Sequence, residues 1–195
     1  GDSPQIWNGL ADSTNNGPVV NFLRLAHTKT MDKPNGYSQE AMEKISRKYT
    51  EQAKQLNQTR TENMTDNTVI MVLSETFSDP TRVPGVSFSE DPMPNIRHVK
   101  AQTTSGLMLS PGYGGGTANI EYQALSGLSM ANYSSTLSIA YQQLVPSLKW
   151  APTLNQAWDK ANGKGSSIAF HAYNRNMYFR DLNYKKFGFS KFYAT

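Results

Sequence analysis

Hydrophobic and polar positions along this 195-residue chain fall into blocks of different period. Residues 1–36 hold no sustained period. They are rich in Asn, Gly, Pro, Ser and Thr and carry one apolar patch, Pro18–Leu23. They predict an arm or connector docked through that patch, with a turn at Pro34-Asn35-Gly36. From residue 39 the pattern changes. Ala41, Ile45, Tyr49 and Ala53 recur four apart, flanked by Met42 and Leu56, which predicts an amphipathic helix over 39–57 capped by Ser38. Thr68–Ser74 is short, β-branched and apolar throughout, the pattern of a strand buried on both faces.

The rest of the chain alternates in the same way. Asp91-Pro92-Met93-Pro94 opens a short helix over about 95–101, and 103–109 reads as a second strand. A glycine loop, Gly112–Gly116, leads into a helix over about 117–128. Residues 144–150 read as loop. Thr153 caps a helix to about 161 that stops at Asn162-Gly163-Lys164-Gly165. Residues 166–170 form a third strand. Residues 175–187 are helical, wholly or in part, with Gly188 as the stop, and Lys191–Tyr193 begin another strand. This order predicts an α/β fold with a mainly parallel sheet flanked by helices. Residues 1–36 would be an arm or connector and 37–195 the domain that follows it.

Composition narrows the function classes. There is no cysteine, which removes disulfides, thiolate metal sites and cysteine nucleophiles together. The net charge is +4 and the pI near 9.2, yet no block of five basic residues exists. Lys44, Arg47, Lys48 and Lys54 interleave with Glu40, Glu43 and Glu51 as on a solvated helix face, so no nucleic-acid partner is expected. Mild attraction to an anionic membrane surface or wall polymer fits the charge better. No apolar run approaches the ~20 residues of a membrane span.

Three reactive residues fall at comparable places. Glu75 ends the first apolar run and His171 follows the third strand. Thr117 sits where the glycine loop meets its helix. Ligands gather at such strand ends in open α/β sheets. A helix N-terminus favours an alkoxide or a bound phosphoryl group, so Thr117 can be a nucleophile, but it can also be a plain N-cap. Glu75 can be a hard ligand for Mg²⁺ or Mn²⁺, or a salt-bridge partner. His171 can be structural or can donate to a phosphate. Arg180 can clamp a phosphate and Tyr178 can pack on a substrate. His27 and His98 are given no role. The loop is neither a Walker A nor a dinucleotide fingerprint.

Ile70-Met71-Val72-Leu73-Ser74-Glu75-Thr76-Phe77 resembles the metal-ligand strand of lipoteichoic acid synthases, phosphoglycerol transferases of the alkaline phosphatase and sulfatase superfamily. Gly115–Tyr122 resembles the loop and helix carrying their catalytic threonine. His171, Tyr178-Phe179-Arg180-Asp181 and Tyr184–Tyr193 resemble their substrate-contacting stretch. The resemblance covers residue 68 to the end. It implies an alkaline-phosphatase-like fold, with Thr117 as nucleophile and metal ligand, Glu75 as metal ligand, and His171, Tyr178 and Arg180 around a phosphoglycerol group. Tyr178 stands where the family often has tryptophan, and Tyr173 where some members have an acid.

The resemblance further implies Mn²⁺ or Mg²⁺, and transfer of glycerol phosphate from phosphatidylglycerol to a lipoteichoic-acid-type polymer. The expected place is the extracellular face of a bacterial membrane, on a monomer anchored by helices outside this chain. The family completes its metal site with a downstream Asp-His pair, and the chain has no Asp-His dipeptide. It therefore reads as an N-terminal portion of a catalytic domain that is inactive alone. The alternatives are a phosphoethanolamine transferase, a sulfatase-like hydrolase, or a non-catalytic wall- or lipid-binding module. Sulfatases build formylglycine from cysteine or serine, which Thr117 cannot supply.

Overall fold

The computed structural model describes residues 9–26, 28–112 and 116–195. Tyr113, Gly114 and Gly115 of the glycine loop, His27 and residues 1–8 lie outside them. In chain order the helices are α1 (Gly9–Asn16), α2 (Pro18–Ala26), α3 (Gln39–Asn57), α4 (Pro94–Gln102), α5 (Thr117–Ser126), α6 (Ala140–Gln143), α7 (Leu154–Asn162) and α8 (Arg180–Lys186). The strands are β1 (Ile168–His171) and β2 (Lys191–Ala194).

The core lies wholly in the second half. Ala118, Ile120 and Tyr122 of α5 are buried, as are Leu137, Ile139, Tyr141, Val145, Ala151, Ala169, Tyr184 and Phe187. Among the described residues no buried hydrophobic side chain precedes Ala118. Aromatic edges organise this core. Tyr184 meets Phe192 at 4.6 Å between ring centroids, Phe189 at 5.2 Å and Tyr141 at 6.4 Å.

The strands β1 and β2 pair in parallel, Ile168 opposite Lys191 and His171 opposite Ala194, with α8 in the crossover between them. Ala169 faces the core, while Phe170 and Tyr193 stack on the other face at 5.2 Å. The helix α7 is tied under α8 by its cap. Thr153 Oγ1 donates to the Phe187 carbonyl at 2.8 Å, and Asn155 Nδ2 donates to the same oxygen at 2.6 Å. Gly188 then turns the chain at φ 87°, and a Cβ there would stand 2.7 Å from Gln156 Cγ.

The caps expected at Ser38 and Thr153 are in place. Ser38 Oγ accepts from Ala41 N at 3.1 Å, and Thr153 Oγ1 from Gln156 N at 3.4 Å. Three expectations need correction. The expected strands at 68–74 and 103–109 are not strands. Both segments run extended and exposed, with Ile70 and Val72 more than 80% accessible. A strand exists only through ladder partners, and among the described residues the only ladder is that of β1 and β2. The arm is helical at α1 and α2 rather than irregular. Val19 and Phe22 of the expected docking patch are exposed. Contact with the core is polar and comes just after α2. The Thr30 carbonyl accepts from Ser134 N at 2.8 Å, and Gln143 Nε2 donates to Thr28 Oγ1 at 2.9 Å.

Candidate active site

Glu75 sits in the turn that ends the extended apolar segment, where Phe77 N closes on the Ser74 carbonyl at 3.0 Å. Thr117 opens α5. The residue before it, Gly116, has φ 88°, a left-handed conformation that turns the chain into the helix. Gly116 is the N-cap and makes no side-chain cap bond, so the Thr117 hydroxyl is not used for capping. Its Oγ1 instead donates to Glu75 Oε2 at 2.9 Å, across 42 residues of sequence. Both side chains are half-buried. A Cβ on Gly112 would lie 3.2 Å from Ile120 Cδ1 and 3.5 Å from Glu75 Oε1, so the loop backbone packs directly against the pair.

One turn along the same helix is Glu121, buried to 9% accessibility. Its carboxylate receives Arg180 side-on. Nε lies 3.1 and 3.0 Å from the two oxygens, and Nη2 lies 2.7 Å from Oε1. Tyr184 donates its hydroxyl to Oε2 at 2.8 Å. Arg180 is 2% accessible, and Nη1 also reaches the Met177 carbonyl at 3.4 Å. Burial alone would lower the Arg180 pKa, but the hydrogen bonds and charge of Glu121 outweigh it and raise it, so the group stays cationic. Burial, then Glu121, pushes the Tyr184 phenol up.

Tyr178 covers this pair, its ring 5.3 Å from the Arg180 guanidinium carbon. Tyr178 and Phe179 both have positive φ, 57° and 54°, a strained conformation for bulky residues. Burial raises the Tyr178 pKa, Arg180 opposes the rise, and Glu121 and Glu75 add to it. The phenol therefore lies within reach of the fields of both Glu75 and Arg180. At the carboxyl end of β1, burial first and Arg180 second depress the His171 pKa, with Glu121 opposing. Its buried Nε2 has no hydrogen-bond partner among the described residues.

Of the five residues singled out in sequence, Glu75 and Thr117 touch at the start of α5, Arg180 is bonded to Glu121 one turn along it with the Tyr178 ring against its guanidinium, and His171 ends β1. Tyr173 is exposed. Two residues of the site were missed, Glu121 and Tyr184. A signal existed for the first: a carboxylate between Ile120 and Tyr122, on a helix otherwise buried on that side, must have a partner.

The profile of the family described as Sulfatase matches residues 67–195. The chain belongs to the sulfatase family. A solved structure of the Streptococcus pyogenes phosphoglycerol transferase GacH, in complex with sn-glycerol-1-phosphate, superposes on it with a TM-score of 0.77. The identity is 43%, covering 85% of this chain and 42% of that one. A Rhizobium meliloti (strain 1021) protein named for cyclic beta-1,2-glucan modification is 33% identical over 190 residues, 97% of this chain and 27% of that protein. The chain thus spans less than half the length of either relative. The likeness establishes the alkaline-phosphatase-like α/β fold and the superfamily that the motifs implied, on its lipoteichoic-acid-synthase-like side. No helix of the described residues is long and apolar enough to cross a membrane.

Proposed function

We propose that this chain carries the nucleophile half of a phosphoglycerol transferase, in which Thr117 takes glycerol phosphate from phosphatidylglycerol and passes it to a polymer hydroxyl. The observation that carries the reading is the 2.9 Å contact of Thr117 Oγ1 with Glu75 Oε2. An alcohol whose proton is directed at a carboxylate, at a helix N-terminus, is an activated nucleophile with an anion site beside it.

The pair also suits a divalent cation. Two hard oxygens converge, with no sulfur or imidazole between them, which fits Mn²⁺ or Mg²⁺. Glu75 and Thr117 would supply two ligands. Among the described residues no group of three or more His, Cys, Asp or Glu gathers, so this chain's residues form part of a ligand set. A bound cation would lower the pKa of the hydroxyl and offset phosphoryl charge.

In the proposed reaction Thr117 Oγ attacks phosphorus, its proton leaving toward Glu75. The bond to the diacylglycerol oxygen breaks, and diacylglycerol departs with a proton. The glycerophosphoryl group stays on Thr117 until an acceptor hydroxyl displaces it. Arg180 meets the phosphoryl oxygens, Tyr178 covers the glycerol, and His171 Nε2 meets a polar group of the substrate. The expected place remains the outer face of a bacterial membrane. The chain alone, with part of a ligand set, is expected to be inactive.

The rhizobial relative's name favours a second acceptor, a saccharide hydroxyl, over the end of a glycerol-phosphate chain. Both acceptors use the same first half-reaction. The test is release of diacylglycerol from phosphatidylglycerol vesicles by the protein expressed from its full reading frame, with a glucan or a glycerol-phosphate oligomer added. Loss of release in Thr117→Ala supports the reading, and full release by that variant refutes it. A non-catalytic module would bind vesicles and release nothing.

A further inference from the structure

Glu121 is separated from Thr117 by four residues, so the two side chains lie on one face of α5, about 6 Å apart along its axis. The Glu121 carboxylate occupies only the Nε and Nη2 edge of Arg180. A guanidinium has five N–H donors. One on Nε and one on Nη2 go to Glu121, and one on Nη1 goes to the Met177 carbonyl. Arg180 is 2% accessible, so these bonds fix its guanidinium in place against α5.

Other features show that the pair is more than a brace. A buried ion pair is weak evidence for stability, because desolvation offsets much of its attraction. The chain delivers Arg180 through two consecutive left-handed residues, Tyr178 and Phe179, an arrangement a purely structural bridge would not need. Tyr184 fixes the second oxygen of Glu121, so the carboxylate cannot rotate away.

We infer that Glu121 is a positioning residue: it locks Arg180 side-on to the nucleophile helix, one turn from Thr117, and so fixes where the guanidinium sits relative to the nucleophile. This inference rests on the phosphoglycerol-transfer reading and names a residue that reading does not require. Glu121 itself touches no substrate. It sets the distance and angle between nucleophile and anion clamp, both fixed to one helix.

The test uses the protein from its full reading frame and two readouts: affinity for sn-glycerol-1-phosphate by calorimetry, and diacylglycerol release from phosphatidylglycerol vesicles. Glu121→Gln keeps the shape but loses the charge. It is expected to weaken binding of the probe at least tenfold and to slow release by a similar factor. Glu121→Asp is expected to recover part of both. In an Arg180→Lys background, Glu121→Gln is expected to add less than a further threefold loss, because both changes break one device. Tyr184→Phe, which removes one hydrogen bond to the same carboxylate and leaves the bonds between Glu121 and Arg180, gives a milder variant if Glu121→Gln fails to fold. It is expected to keep Arg180 bound and to weaken the probe less than threefold. The inference is overturned if Glu121→Gln binds and releases like the wild type, or if its loss multiplies in full with that of Arg180→Lys. It is also overturned if Tyr184→Phe alone abolishes probe binding. A wild-type protein that neither binds the probe nor releases diacylglycerol overturns the functional reading first, and the inference with it.

Discussion

Thr117 Oγ1 and Glu75 Oε2 are hydrogen-bonded at 2.9 Å although 42 residues separate them. The contact joins the end of an apolar segment to a helix N-terminus. The geometry makes Glu75 more than a neighbour. Glu75→Gln keeps a hydrogen-bond acceptor but removes the charge. It is expected to lower diacylglycerol release by the full-length protein about 10²-fold or more, the usual weight of a group acting on the nucleophile's proton or metal. Steady-state kinetics with phosphatidylglycerol vesicles measure this, and an unchanged kcat would separate Glu75 from the chemistry.

Breaking the buried pair should be severe. Glu121→Ala leaves Arg180 charged at 2% accessibility with no counter-ion. Loss of one partner of such a pair costs about 3–5 kcal/mol. Urea denaturation of Glu121→Ala beside wild type reads the difference, and a loss under about 1 kcal/mol would mean that water reaches the guanidinium.

The glycine loop makes its own prediction. Gly116 has φ 88°, so Gly116→Ala forces a side chain into the left-handed region at a cost of about 1–2 kcal/mol. Gly112→Ala is relieved only by moving Ile120 or Glu75, since its Cβ would meet Ile120 Cδ1 at 3.2 Å. Gly112→Ala is therefore expected to reduce activity more than stability, and Gly116→Ala to reduce both. Melting curves and transfer rates on the two variants check the contrast.

The fold was readable where its cause is local. Ser38 and Thr153 announce their helices because a cap is a contact three residues long. The β1 and β2 segments, and the break at Gly188, follow from short apolar runs and a turn residue. The run Thr68–Ser74 signals two-sided burial, but which strands lie beside it is not encoded in the run itself, and among the described residues no strand pairs with it. The helix α2 begins with Pro18 at its first position, a start signal hidden by the Asn- and Gly-rich surroundings. Thr117 and Glu75 could be picked out singly. That Glu121 binds Arg180 across 59 residues could not, because a carboxylate carries no mark of its partner.

The depressed His171 pKa gives a pH signature with a definite sign. The folded imidazole takes up its proton at lower pH than the ordinary value of 6.5 shown by the unfolded chain. Between those two pH values the unfolded state binds more protons, so stability rises with pH. The contribution is fully present above 6.5 and is lost as pH falls through the folded pKa. His171→Gln is expected to flatten that part of the stability curve. An NMR titration placing the His171 pKa above 6.5 would contradict the burial that the structure assigns it.

Metal binding should reflect a partial ligand set. Two oxygen ligands bind Mn²⁺ or Mg²⁺ weakly, so the 195-residue chain is expected to show no sub-micromolar affinity in calorimetry. Tight binding by this chain would mean that other groups complete the site.

The account depends most on Thr117 carrying the transferred group. Rapid acid quench of the full-length protein with phosphatidylglycerol, without acceptor, followed by peptide mass spectrometry, tests it directly. The predicted result is a glycerophosphoryl adduct on the peptide containing Thr117, absent from Thr117→Ala. An adduct on another residue, or undiminished transfer by Thr117→Ala, would contradict it.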